Sequence, residues 1–232
     1  MFATTSLPEF LKNCNMLLVG LAPVNAFHGG PYMSSTHYAP ETCADESCKK
    51  NALTGSDYCW EHLDDKAGYL KQLVSGIMAD GWLAGINLAG CNLENADLRR
   101  VRLSGANLAG ANFRHADLRH AFLDGADLRQ ADFSGANLEF AVLGGANISK
   151  ARFQSANVQR ANLVGVTGHR ADFTAANLYY SRPGNADLQE ALFRNAIIQR
   201  TIFRRANLRG ADFSGAKGEA NFENANLEGI LR

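Results

Sequence analysis

From Ile86 onward the sequence repeats itself every five residues: INLAG, CNLEN, ADLRR, VRLSG, ANLAG, ANFRH, ADLRH. With the central Leu or Phe called position i, the small residue is i−2 and the Asn or Asp is i−1. Between residues 86 and 216, 27 consecutive quintet starts hold this register. Ala fills 21 of them, the exceptions being Ile86, Cys91, Val101, Val166, Ser181 and Thr201. Two further quintets, Ala220 to Asn224 and Ala225 to Gly229, follow a one-residue slip near Gly218. A period of five fits neither the 3.6 of a helix nor the 2 of a strand, so no single element keeps one side buried. The chain must turn a corner once per quintet, which makes it a repeat architecture.

A longer period shows how many corners close a turn. Phe113, Phe133, Phe153, Phe173, Phe193 and Phe213 recur every 20 residues, and so do Gly105, Gly125, Gly145 and Gly165, continued by Asn185. Four quintets therefore make one coil, and every twentieth residue stacks on its predecessor at about 4.8 Å. The Phe column predicts an aromatic stack inside the stem. The Gly/Asn column predicts a corner with positive φ, which those residues adopt cheaply.

These quintets resemble the pentapeptide-repeat family, A-(D/N)-L-x-x, over roughly residues 83 to 229. The resemblance implies an all-β stem, a right-handed quadrilateral parallel β-helix with i−2 and i inward and the other three positions facing solvent. Residues 86 to 215 make 6.5 coils, a stem about 30 Å long at strand spacing. The expected division is a helical head over 1–80 and a pentapeptide-repeat stem over 81–232.

The head has its own composition. Ser6-Leu7-Pro8-Glu9 reads as a helix start with a capping-box pair. A second helix is expected over about 64–79, with Tyr69, Leu70, Leu73, Val74, Ile77 and Met78 at helical spacing. Lying just before the first quintets, it would cap the open end of the solenoid. Between the helices stands Cys43-x4-Cys48-x10-Cys59-x2-His62. Three thiolates and one imidazole suit a closed, structural tetrahedral zinc site rather than a catalytic one. Zinc would stabilise a segment poor in apolar residues. The competing reading is a loop with unrelated cysteines, and His37 is a reserve ligand. Cys14 and Cys91 fit apolar faces as small hydrophobes.

Three features of the stem's outer surface depart from simple repetition. Arg100, His120, Phe140, Arg160, Tyr180 and Arg200 form an i+2 column of alternating basic and aromatic residues, read either as a recognition stripe or as a stabilising cation–π ladder. Along one side, where Asn or Asp is usual at i−1, the column reads Arg102, Phe122, Val142, Asn162, Arg182 and Ile202. With Leu192 and Ile197 added, they are read as an apolar partner patch or as a side of stronger strand character. The coil 166–185 carries Gly168 and Pro183 at i, which predicts a core gap between Ile148 and Leu188. It also predicts either a local bulge displaying His169, Arg170, Tyr179, Tyr180 and Arg182 or plain repeat decay.

Composition narrows the function. Lys+Arg and Asp+Glu are 23 each, which argues against a generally basic nucleic-acid binder. The longest apolar run, Met16 to Ala22, is too short to span a membrane. Five cysteines do not suggest a disulfide framework, and a cytoplasmic protein is expected. No nucleophile-elbow, P-loop, dinucleotide or zinc-protease motif is present, so the expectation is a non-enzymatic interaction scaffold for a protein partner. The family resemblance implies an alternative, binding to DNA gyrase or topoisomerase by mimicry of DNA, giving toxin or quinolone protection. Mimicry needs an acidic stem, whereas residues 81–232 hold 18 Lys+Arg against 14 Asp+Glu, a net of +4. That charge is also weak for direct nucleic-acid binding. The short end after Leu227 leaves the last coil uncapped, which predicts a homodimer through that end.

Overall fold

The structure, a computed structural model, describes residues 42, 44–49, 58–59, 61–66, 68–69 and 85–232. The helix expected from Ser6, together with Cys14, His37, Cys43 and most of 64–79, lies outside the described residues. From residue 85 the chain winds as a four-sided stack of 20-residue coils joined by parallel single-residue bridges, such as Asn87 to Asn107 and Asn107 to Asp127. We number the sides in chain order from the coil that starts at Ile86: side 1 holds 86–90, side 2 holds 91–95, side 3 holds 96–100 and side 4 holds 101–105. Later residues belong to the same side every twentieth position.

Each quintet works as one bridge followed by one turn. The amide of Leu88 donates up the stack to Asn107 O at 2.8 Å, and the Asn107 amide donates back to Ile86 O at 2.8 Å. The Cys91 amide closes the corner onto Leu88 O at 3.1 Å. The i−1 side chain secures the same corner by accepting from the amide two residues on, as in Asn92 Oδ1 from Glu94 N at 3.2 Å and Asp132 Oδ1 from Ser134 N at 2.9 Å. This local turn bond explains the preference for Asn or Asp at i−1. Asp also recruits a donor at i+1: Arg99, Arg119 and Arg129 each bond the Asp two residues earlier.

The interior is built from the i−2 and i columns. The Phe rings stack nearly parallel from Phe113 to Phe213 with centroids 4.7 to 5.2 Å apart. Leu and Ala fill the other inward columns, almost all fully buried. Cys91 belongs to this core, and burial pushes its thiol pKa up, so it behaves as a small hydrophobe. Near the C-terminal end the coil shortens to 19 residues, with bridges Ile202 to Asn221, Asn207 to Asn226 and Asp212 to Leu231. The slip turns at Gly218, where φ is 98° and a Cβ would lie 2.7 Å from Gln199 Cα. Only glycine fits there.

Of the two readings of the coil 166–185, the register favours repeat decay over a local bulge. Its i−1 residues Thr167, Asp172 and Asn177 stay in register with the coils on both sides. Gly168 and Pro183 sit buried in the inward column. Pro183 has no amide to give, and the ladder bridge between Arg182 and Ile202 is missing. The expected core gap is also closed: a Cβ on Gly168 would meet Leu188 Cδ2 at 2.8 Å and Ile148 Cγ1 at 2.9 Å. Restoring the repeat residue with Gly168→Leu is therefore expected to destabilise the stem by about 1–3 kcal/mol through overpacking, read as a lower urea midpoint.

Candidate functional site

Two clusters have a chemistry beyond the repeat. The first lies ahead of the stem. Cys48, Cys59 and His62 bring their ligand atoms within 4.8 Å of one another, with Cys48 Sγ 3.8 Å from Cys59 Sγ and Cys59 Sγ 3.8 Å from His62 Nδ1. A disulfide would hold the sulfurs at about 2.05 Å. The edge of a tetrahedron with metal–sulfur bonds of about 2.3 Å is about 3.8 Å, so the spacing is that of two ligands on one ion. Tight local turns set it, with the Cys48 amide bonded to Asp45 O at 2.9 Å and the His62 amide to Cys59 O at 3.2 Å.

Asp45 adds a partner that the ligand spacing alone did not reveal. Its Oδ1 accepts from the Ser47 hydroxyl at 2.5 Å and amide at 2.9 Å, and these bonds hold its carboxyl below the usual range. Its Oδ2 stands 3.9 Å from His62 Nε2. His62 thus turns Nδ1 to the thiols and Nε2 toward a carboxylate beyond hydrogen-bonding distance, on the side where a metal-binding imidazole carries its outer partner. Three of the four expected zinc ligands are brought together, and Cys43 lies outside the described residues.

The segment after the cluster leads to the stem. Asp65 Oδ1 accepts from the Gly68 amide at 2.7 Å, and Asp65 O accepts from the Tyr69 amide at 3.1 Å, an N-capped helix start at Lys66. Leu63 and Tyr69 pack against the core. Burial, and then neighbouring Cys91, push the Tyr69 pKa up. Lys49, Cys59 and Glu61 share a groove with Ala89, Gly90, Ala109 and Gly110 at the small-residue corner of side 1.

The second cluster is the corner between sides 3 and 4. His120 stacks on Phe140 with centroids 5.0 Å apart, and Arg160 covers the other face of that ring at 5.2 Å. Arg200 lies over Tyr180 at 5.1 Å and donates to its hydroxyl, while Tyr179 meets the ring edge-on at 4.7 Å. All six predicted column residues have φ between 55° and 61°. The left-handed turn expected at the glycine column recurs at the other corners too. Glycine takes it freely, whereas an L-residue gives up about 1–2 kcal/mol. This corner has no Gly or Asn from Arg100 to Arg200, although the next corner runs Gly105, Gly125, Gly145, Gly165 and Asn185.

Side 4, beyond that corner, carries the predicted Arg102, Phe122, Val142, Asn162, Arg182 and Ile202 in one column, with Arg102 over the Phe122 ring at 5.2 Å. Val164, absent from the predicted patch, lies two residues after Asn162 and is among the more exposed apolar residues at 41%. The patch predicted to include Leu192 is corrected. Leu192 bridges Asp172 and Asp212 on side 2, half a coil away and facing the opposite direction. Ile197 lies on side 3, in the ladder of Asn177 and Lys217. Elsewhere a shallow groove is lined by Ser149, Lys150, His169, Arg170, Gln189 and Glu190. Most of its polar side chains are bonded to each other or to neighbours: His169 Nε2 to Asp187 Oδ2 at 2.7 Å, Arg170 Nε to Glu190 at 2.6 Å, and Ser149 Oγ to Asn147 at 2.7 Å.

The fold and register define a class of repeat protein, and comparison with known sequences agrees. The pentapeptide-repeat profile matches in eight copies over residues 83–119, 111–149, 151–182 and 186–217, more than half of the chain. The chain belongs to the pentapeptide-repeat family. No curated protein matches it. Among solved structures it is similar to trypsin-treated QnrB1, a plasmid-mediated fluoroquinolone resistance protein, at 20% identity over 64% of this chain and 83% of that one, with a TM-score of 0.39. It is also similar to HetL, a pentapeptide repeat protein involved in heterocyst differentiation regulation from the cyanobacterium Nostoc sp. strain PCC 7120. There the identity is 26% over 69% of this chain and 90% of that one, with a TM-score of 0.26. No helix among the described residues is long and apolar enough to cross a membrane.

Proposed function

We propose that this protein is a non-enzymatic interaction scaffold, in which a right-handed β-helical stem presents the side 3–side 4 corner and side 4 to a protein partner. One observation carries this reading. Six consecutive non-glycine, non-asparagine residues hold a left-handed backbone at that corner, at about 1–2 kcal/mol each. The exposed contacts between them return about 0.5–1 kcal/mol apiece. Strain of this kind runs for four coils at the corner of Gln130, Lys150, Arg170 and Glu190 but for six at this one, where the strained residues are stacked aromatic and basic side chains, and that pairing points to a use other than stability. The stem's net charge of +4 opposes the DNA-mimic alternative.

Affinity capture with the intact chain and with Phe140→Ala/Tyr180→Ala tests the reading, with Leu192→Ser on the opposite side as control. Loss of one partner with the corner variant alone is expected. Equal capture by all three would overturn it.

The head is read as a structural zinc site of Cys43, Cys48, Cys59 and His62. When bound, zinc would supply cross-linking of a segment with little core of its own. At the other end Phe222 and Leu227 are only half-buried and Leu231 is 56% exposed, and the last coil is the surface for a homodimer. Sedimentation at micromolar concentration is expected to give twice the mass of 25.1 kDa.

A further inference from the structure

We propose that side 4 is a ledge for an extended protein segment with an apolar centre and acidic flanks, an inference that rests on the scaffold reading above. Its floor is Phe122 and Val142 of one ladder with Val164 in the neighbouring column, Phe122 being 36% and Val164 41% exposed. Gly144 beside them, with no side chain, keeps this floor flat. One edge is walled by the stacked His120, Phe140, Arg160, Tyr180 and Arg200. The other edge is the bare glycine corner from Gly105 to Gly165. A shape closed on one edge and open on the other admits a chain laid along the stem axis.

The charges on the ledge identify what the chain carries. Arg102 stands at one end of the apolar floor and Arg182 at the other, with Arg204 and Arg205 beyond. Arg182 is exposed and has no carboxylate partner among the described residues. The only acid on the floor, Asp124, accepts from the Ser104 hydroxyl at 2.7 Å. Arg204 is matched by Glu223 at 3.5 Å. From Arg102 to Arg182 is four rungs, about 19 Å, the reach of about six extended residues. Apolar side chains over the floor and carboxylates at both ends would match it, since complementary charge fixes register and orientation. Single-stranded nucleic acid, the other anionic candidate, needs open aromatic faces. Here both faces of Phe140 are covered, and Tyr180 has Arg200 over one face and a perpendicular Tyr179 packed against it.

The test is fluorescence anisotropy with the full-length protein and a labelled peptide, Glu-Glu-Glu-Val-Leu-Val-Glu-Glu-Glu. Controls replace the flanks by Lys or the centre by Ser, and an oligo-dT of equal charge serves as the nucleic-acid arm. The acidic–apolar peptide is expected to bind, and to weaken about tenfold or more both for Phe122→Ser/Val142→Ser/Val164→Ser and for Arg182→Glu, with Leu192→Ser unchanged. Circular dichroism melts of the variants separate loss of binding from loss of fold. The inference is overturned if the peptide does not bind, if the Ser-centred peptide binds equally, if the side 4 variants bind like the parent, or if oligo-dT binds more tightly through the same residues. Should the peptide fail while capture still depends on Phe140 and Tyr180, the scaffold reading stands and the acidic-segment inference falls.

Discussion

Phe153→Ala is expected to lower the stability of the stem by about 3–5 kcal/mol. Phe153 is fully buried and stacked on both faces, 4.9 Å from Phe133 and 4.7 Å from Phe173. A solenoid is stabilised by contacts between neighbouring coils only, so a hole here weakens two coil interfaces at once. The parallel bridges around the ring also restrict collapse onto the cavity, because each coil is held in register by its neighbours. Phe213 gives the comparison: it lies near the end of the column, has Phe193 on one side and is 6% exposed. Phe213→Ala is expected to cost visibly less. Urea denaturation followed by circular dichroism measures both, and equal losses would show that the aromatic column does not couple the coils.

The second large effect concerns the head. Purified protein is expected to hold about one zinc per chain, and Cys59→Ser to abolish it. Cys59 contacts both other ligands in the described cluster, at 3.8 Å to Cys48 and 3.8 Å to His62, and is itself buried. Replacing its thiolate by a hydroxyl removes the buried ligand of the three that cluster and leaves Cys48 and His62 without it. Since binding free energy in such small sites is folding free energy, chelation is expected to make the segment around residues 42–69 protease-sensitive. The stem, with its own core, is expected to keep its circular dichroism. Zinc-free protein with a protease-resistant head would contradict the metal assignment.

Much of the stem was legible because its two periods are both written in large side chains. The Phe positions every 20 residues mark the coil length, and the Ala and Leu columns mark what points inward. The corners were legible only where glycine or asparagine stood. At Arg100, Phe140 and Tyr180 the same backbone is imposed by the coils above and below, and nothing in the side chains announces it. Gly168 misled in the opposite way: the sequence records a missing side chain, while Ile148 and Leu188 lean into the space. Leu192 stands ten residues before Ile202, which is half a coil, so the two lie on opposite sides and only the 20-residue period separates them. In the head the ligand spacing was readable, whereas Asp45 was not. Its signal is the Asp-x-Ser turn immediately before Cys48, which aims a carboxylate at His62.

On the scaffold reading, the corner from Arg100 to Arg200 is kept for a partner and not for the fold. This is tested most directly by replacing all six residues of that column with glycine and measuring thermal unfolding. Relief of left-handed strain at six positions, about 1–2 kcal/mol each, outweighs the loss of four exposed ring contacts at about 0.5–1 kcal/mol each together with the Arg200 to Tyr180 hydrogen bond. The larger flexibility of glycine in the unfolded chain takes back part of the gain. A melting temperature equal to or above that of the parent is expected. A fall of several degrees would show that the column is a structural ladder.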